Sequence, residues 1–383
     1  MVRCCGRNRS GRTLLPAEFF FRPCPAADVH VGAAVGYNAW MVPFRQYSFS
    51  ATRIRSLCWR GDELVDWVGG GRAFALDGQE QGAPTQYADH FDAATTSRDG
   101  RFAVIYERLG ARGLLLKDGK VLREVNRSSY RAAAYEYPVA LFHEPDGRLL
   151  LAHCPRSYCA VELEEVETGR PLTASAEREP CDFFHRRLAA SPHGKRLLSA
   201  GWAWHPLGIV EFFDVARALT DPRHLDHGSG SVCLAEEDSA CWLDDDRIVV
   251  GASDEPEDPE EVREAGDEAR LRSCGLAVYD LASRRCLRTF QLPEQPGTIL
   301  PIGRRHLLSL YRHPKLIDLS SARVLHVWTE LASGLQNSSI IWHLKDDAKP
   351  PPMSFDPAIG RFAIADRNRI TVIEFDLSAL GSS

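Results

Sequence analysis

With 383 residues, 44% of them hydrophobic and 26% charged, the chain has the composition of a soluble protein and room for two or three domains or one long all-β assembly. Its net charge of -6 offers no surplus of Lys and Arg to grip phosphates, so nucleic acid is not an expected partner, and acidic lipid surfaces are disfavoured likewise. No apolar run approaches the roughly 18 residues that a membrane span requires, so no membrane association is expected either.

Residues 1–37 form a poorly defined N-terminal segment. It opens with Arg3, Arg7, Arg9 and Arg12, but Glu18 and Arg22 interrupt the apolar run an export signal needs, so a cytoplasmic location is expected. The 11 cysteines, Cys4, Cys5 and Cys24 among them, are odd in number and lack a framework spacing, which fits reduced thiols. No C-x-x-C or C-x-x-H pair marks a zinc site. Neither a metal nor a cofactor is expected. Within residues 38–46, Ala39-Trp40-Met41-Val42-Pro43-Phe44 reads as a short strand, and Pro43 is acceptable there because an outer strand has one unpaired side.

Thr95–Val125 then shows the repeating unit most clearly, as four short strands cut by tight turns. Asp99-Gly100 and Asp118-Gly119 supply the positive φ of two-residue hairpin turns, and the apolar runs Phe102–Tyr106 and Leu114–Leu116 lie between them. Equivalent inner turns recur at Gly61-Asp62, Asp146-Gly147, His193-Gly194, Asp245-Asp246, Gly303-Arg304 and Ile359-Gly360. An acidic residue closes the third strand of each copy, at Asp77, Asp118, Glu167, Asp214, Asp280, Asp318 and Asp376. The copies are spaced roughly 40 to 60 residues apart, the period of propeller blades. One such sheet cannot bury both of its faces alone, whereas seven in a ring cover each other. The expected fold is therefore all-β, a seven-bladed β-propeller of four-stranded antiparallel blades over residues 38–383. Too little chain follows Asp376 to complete the last blade, so the strand near Trp40 is expected to close the ring.

Antiparallel order puts the first and third connections of every blade on one face and the second and fourth on the other. The first face carries the tight turns. The second carries connections of variable length, where binding residues concentrate. Candidates there are Arg108, Arg156, Tyr158, Trp204, His205, Arg312, His313 and Arg367, an aromatic and cationic set of the kind enriched in interface hot spots. The innermost strands favour small residues such as Ala93, Ala140, Ala189 and Ala240, with Thr95, Arg187 and Ser354 as polar positions toward the axis. An acidic insertion, residues 254–272, breaks the beat in the fifth blade, with a short charged helix expected over Pro259–Leu271. A second long connection, Glu330–Pro352, carries Trp342-His343 to the same face.

Enzyme signatures are not evident: there is no G-x-S-x-G elbow, P-loop, G-x-G-x-x-G or H-E-x-x-H. Gly69-Gly70-Gly71 falls between two strands, not before a helix, and His224-Leu-Asp-His227 runs into Gly228-Ser-Gly230 as an exposed loop would.

Asp280-Leu-Ala-Ser-Arg-Arg-Cys-Leu and Asp318-Leu-Ser-Ser-Ala-Arg-Val-Leu, with the acidic third-strand endings, resemble the WD40-like β-propellers in a divergent, bacterial form of the YVTN or quinoprotein type. The resemblance covers about Ile54–Asp376. It departs from the strict repeat, because Trp never precedes the acidic residue and no Gly-His opens a blade. It implies a monomeric, non-enzymatic scaffold that binds a protein or peptide partner through the variable face. The alternative it leaves open is a lactonase-like propeller enzyme or small-molecule binder, with substrate at the axial mouth near His205 and His313.

Overall fold

Side chains of a strand alternate between its two faces, and the repeat is apolar on both, so each sheet needs two covers. The computed structural model describes residues 44–82, 87–204, 207–230, 235–265, 270–335 and 350–380, all within one compact unit, Val42–Ser383. Seven antiparallel sheets stand in a ring. Blade 1 spans residues 58–81, blade 2 93–124, blade 3 139–165, blade 4 183–214, blade 5 237–291 and blade 6 299–327, and blade 7 combines 353–375 with 44–50. Among the described residues seven apolar clusters fill the seams, one for each pair of neighbouring blades, and an eighth, smaller one gathers Tyr135, Phe184 and Trp202. In blade 2, Val104 and Leu115 enter the seam with blade 3, whereas Ala103, Ile105 and Leu116 enter the seam with blade 1.

The two sequence markers have physical counterparts. All seven inner turns join the first and second strands of their blades, and Gly100, at φ +68°, takes the left-handed backbone its turn requires. In five of the seven blades the acidic residue at the end of the third strand accepts a backbone N–H two or three residues on, which starts the next turn, whereas Asp118 pairs with Arg101 and Glu167 with Lys117. Asp77 receives Gln79 at 3.0 Å, Asp280 receives Ser283 at 2.7 Å, Asp318 receives Ser320 at 2.9 Å and Asp376 receives Ala379 at 3.0 Å.

Two blades vary the outer strand. In blade 3 it shrinks to a bridge between Glu164 and Pro171. In blade 4 the residue that ends the third strand, Asp214, becomes a helix N-cap, accepting the Arg217 N–H at 3.0 Å and opening the helix Val215–Thr220.

The ring is closed by a strand from the start of the chain, as expected, and the described part of that strand runs beyond the expected Phe44. The closing strand is Phe44–Ser50, paired with Arg369–Phe375 from Phe44 opposite Phe375 to Ser50 opposite Arg369. Residues 39–43 lie outside the described residues. An outer strand is covered on one side only, and the half-buried Phe44, Tyr47 and Phe49 among exposed neighbours meet that condition. Phe44 packs on Trp328 of blade 6 at 5.0 Å and Phe49 on Phe74 of blade 1 at 6.5 Å, so this strand touches both flanking blades.

The acidic insertion lies between the second and third strands of blade 5, as expected, with a helix limited to Pro259–Ala265. Leu271, at its far end, is buried in the seam with blade 4. Most of the connection Glu330–Pro352, with Trp342 and His343, lies outside the described residues. The cysteines among the described residues are free thiols.

Candidate functional site

The most developed side-chain assembly on the variable face grows from a break in blade 4. Its innermost strand is split, with Phe183–Phe184 pairing the end of the long second strand Arg196–Ala203 and Ala189–Ala190 pairing its start. Phe184 is thereby the cross-strand partner of Trp202, and the two rings stack in parallel, 3.9 Å apart with 1° between planes. Tyr158, from the second connection of blade 3, stacks on Phe184 at 4.2 Å, so Phe184 is held between two rings. Tyr130 lies 4.9 Å from Tyr158, Tyr135 meets Phe184 edge-on at 5.3 Å, and Trp204 stands edge-on to Phe184 and Trp202 at 5.6 and 5.5 Å.

Burial grades through this cluster from floor to surface. Tyr135, Phe184 and Trp202 are buried, whereas Tyr130 is 46% and Trp204 43% exposed, and Leu207 beside them is 48% exposed. The Tyr158 hydroxyl donates to Asp182 at 2.6 Å. Burial and that carboxylate together push the phenol well above its ordinary range. Arg127 fixes the connection that presents Tyr130. Its buried guanidinium donates to the carbonyls of Gly110, Ala132, Tyr135 and Glu136 at 2.7 to 3.2 Å and covers the Tyr135 ring at 4.3 Å.

Below the split lies an ion cluster from three blades. Arg187, at φ +46°, grips Glu136 at 3.1 Å, and Arg186 meets Asp238 at 3.2 Å. Both arginines also donate to the Asp238 carbonyl, at 2.8 and 3.1 Å. Burial alone would raise Glu136, but Arg187, Arg186 and Arg108 hold it down to about 2. In Asp238 burial wins over the same arginines and the carboxyl is raised. His185, in the same break, is lowered to about 3 by burial and stays neutral between Ser199 and the Cys159 carbonyl, 3.2 Å from each. This cluster is internally matched, two cations against two anions, and holds the break open in a fixed shape.

The sequence candidates fall around this assembly as follows. Tyr158 and Trp204 belong to the ring cluster itself. Arg108 is half-buried beside Glu136, with its N–H on Asp92 at 2.7 Å. Arg156 is exposed and pairs with Glu162 at 2.7 Å. On the far blades, Arg312 covers Tyr311 at 5.0 Å and lies 3.9 Å from Glu294, His313 shares a hydrogen bond with the Leu331 carbonyl at 2.8 Å, and Arg367 is exposed. His205 lies outside the described residues.

Sequence reasoning missed Tyr130, Tyr135, Phe184 and Trp202, the last of them a strand residue. The available signal was the spacing of Tyr130, Tyr135 and Tyr137 in a connection long enough to reach the next blade.

Two other motifs resolve into structure. Gly69 donates its N–H to buried Asp66 at 2.9 Å, and Asp66 also takes Ser56 N–H at 2.9 Å and Arg72 at 3.0 Å. In His224-Leu-Asp-His227, Asp226 is buried and paired with Arg178 at 2.7 Å, tying the blade 3 to blade 4 connection. Among the described residues no group of three His, Cys, Asp or Glu is placed to hold a metal ion. The tight-turn face has a shallow depression by His193, Asp244, Asp245 and Asp246, whose three carboxylates are taken up by Arg247, His193 and Arg196 at 2.6, 2.9 and 3.0 Å.

No family model and no curated protein matches this sequence. Among solved structures, a chain of the "Crystal Structure of Mitotic Checkpoint Complex" superposes with a TM-score of 0.53 at 11% identity, over 92% of this chain and 98% of that one. The fold is that of a WD40-like propeller. At such identity the likeness carries the architecture alone. In this WD40-like propeller the variable-face connections, not the repeat, are what distinguishes one surface from another, and the ring cluster of blades 3 and 4 is built on them. No helix among the described residues is long and apolar enough to cross a membrane.

Proposed function

We propose that this WD40-like propeller is a non-enzymatic, monomeric interaction scaffold that binds another protein or a peptide through its variable face. The observation that supports this is the graded ring cluster, buried at Phe184 and Trp202 and open at Tyr130 and Trp204. An aromatic anchor with a pre-packed floor loses little conformational freedom on binding, which is how interface hot spots gain their weight. Arg156, Arg312 and Arg367 are exposed on the same face, Arg156 and Arg312 each beside a carboxylate, Glu162 at 2.7 Å and Glu294 at 3.9 Å. The fold is typical of interaction scaffolds, and the solved structure it resembles is that of a protein complex.

Affinity purification with mass spectrometry tests the proposal, comparing the native chain with Tyr130→Ala and Trp204→Ala. Ile359→Ser serves as a control, since Ile359 is 48% exposed in an inner turn on the opposite face. The same partner should be recovered by the native and Ile359→Ser chains and lost from both aromatic variants. Recovery of identical partners by all four chains would count against the proposal.

A further inference from the structure

We infer that the partner segment is a basic peptide with an apolar anchor, which seats the anchor on Tyr130, Trp204 and Leu207 and turns its Lys or Arg side chains toward the blade 5 insertion. This rests on the interaction role just proposed and adds the chemistry of the partner.

Charge supplies the argument. Residues 254–272 contain nine acidic and three basic side chains, a net of -6, which equals the net charge of the entire chain, so the rest of the protein is neutral in sum. All of the excess negative charge therefore sits on one connection of the variable face. That connection begins beside the ring cluster. The Glu236 carboxylate accepts the Gly208 N–H at 3.2 Å, next to Leu207, and the Ser253 hydroxyl at 3.2 Å, while its carbonyl takes the Ser253 N–H at 2.9 Å. Asp254 follows directly. Asp254, Glu255, Asp258 and Glu260 are exposed, and Asp182, which takes the Tyr158 hydroxyl, adds an exposed carboxylate at the rings.

An apolar patch with a carboxylate rim sorts its ligands by sign. Burial of the anchor supplies affinity for any apolar segment, while the rim steers cationic segments inward and repels acidic or phosphorylated ones over a Debye length of about 8 Å. A purely basic segment would lack the anchor, and a purely apolar one would gain nothing from the rim.

Selection of a displayed random peptide library against the full chain tests this, followed by binding measurements on the enriched peptide and on a copy with Glu at its basic positions. The enriched peptides should join Trp, Phe or Leu to Lys or Arg, the Glu copy should bind at least about tenfold more weakly, and added salt should shrink that gap. Asp254→Ser, Glu255→Gln, Asp258→Asn and Glu260→Gln together should close it, the Asn keeping the hydrogen bond that Asp258 accepts from the Glu260 N–H at 2.8 Å. Neutral or acidic enriched peptides, or a four-site variant that keeps the full preference for the basic peptide, overturn the inference. If binding nevertheless falls in Tyr130→Ala and Trp204→Ala, the scaffold proposal survives that failure. Binding indifferent to both aromatic variants, or no enrichment at all, removes the two together.

Discussion

Single residues in this ring are tuned by the seam they face. Glu211 lies on the third strand of blade 4, and its Oε2 atom is buried without a hydrogen-bond partner. Burial raises its carboxyl to about 7, against a partial offset from the Gly228 N–H and with a further push from Glu237. An acid raised in the folded state is neutral there while the unfolded chain ionises from about 4.5 upward. Folding stability is then whole below that lower value and declines until the folded carboxyl also ionises near 7. Glu211→Gln should match the native chain near pH 4 and exceed its stability by about 1–3 kcal/mol at pH 8, the range allowing for a side chain that is only partly buried. Urea unfolding of both chains at the two pH values measures this. Parallel curves, with the same difference at pH 4 and pH 8, would show that Glu211 does not carry the dependence.

At the scale of the element, the closing strand has the largest consequence for its size. Phe44, Tyr47 and Phe49 cover the open side of blade 7 and reach Trp328 on one neighbour and Phe74 on the other. A chain beginning at Ala51 should lose about 2–5 kcal/mol and bind a hydrophobic dye at the uncovered Phe375 and Trp328, judged against lost large apolar side chains in other cores. An unchanged denaturation midpoint would mean that the ring does not depend on this strand. The same element marks where the sequence was legible and where it was not. The seven inner turns could be read because Asp-Gly and its relatives specify backbone conformation locally, and the acidic third-strand endings because five of the seven cap the next turn. That a strand from the start of the chain closes the ring was legible from the shortage of chain after Asp376, but its run on to Ser50 was not, because a strand wetted on one side shows only spaced apolar residues, here Phe44, Tyr47 and Phe49. Apolar strand residues also differ by layer, since Val278 is half-buried beside Arg288 while Ile248, one strand inward, is fully buried. Of the candidate site, Tyr158 and Trp204 were visible as loop aromatics, but the Phe184 to Trp202 pairing was not. It depends on a split strand that residues 185–188 create through Arg186, Arg187 and their partners on other blades, and such contacts have no local signature.

The molecule as a whole behaves as a closed array. Each blade touches its two neighbours through separate apolar clusters, so an open stack of the same blades would release an end blade by breaking one seam. In the closed ring no blade is released until two seams break. Gly194 shows how little slack the seams contain, since a Cβ there would lie 1.8 Å from the His143 carbonyl of the next blade. Coupling of this kind should make unfolding concerted despite the chain's length. Tryptophan fluorescence reports mainly on blades 1, 4, 5 and 6, where Trp59, Trp67, Trp202, Trp242 and Trp328 are buried, and far-UV circular dichroism reports on all seven. The two should give coincident urea midpoints in the native chain, and still do so in Leu116→Ala, which opens a cavity in the seam between blades 1 and 2 and lowers both by about 2–5 kcal/mol of stability. In the chain that begins at Ala51 the two midpoints should separate, because the array then has ends. Separated midpoints in the native chain, or coincident ones in the shortened chain, would show that the blades are not coupled through ring closure, and the rigidity ascribed to the variable face would have to come from the connections themselves.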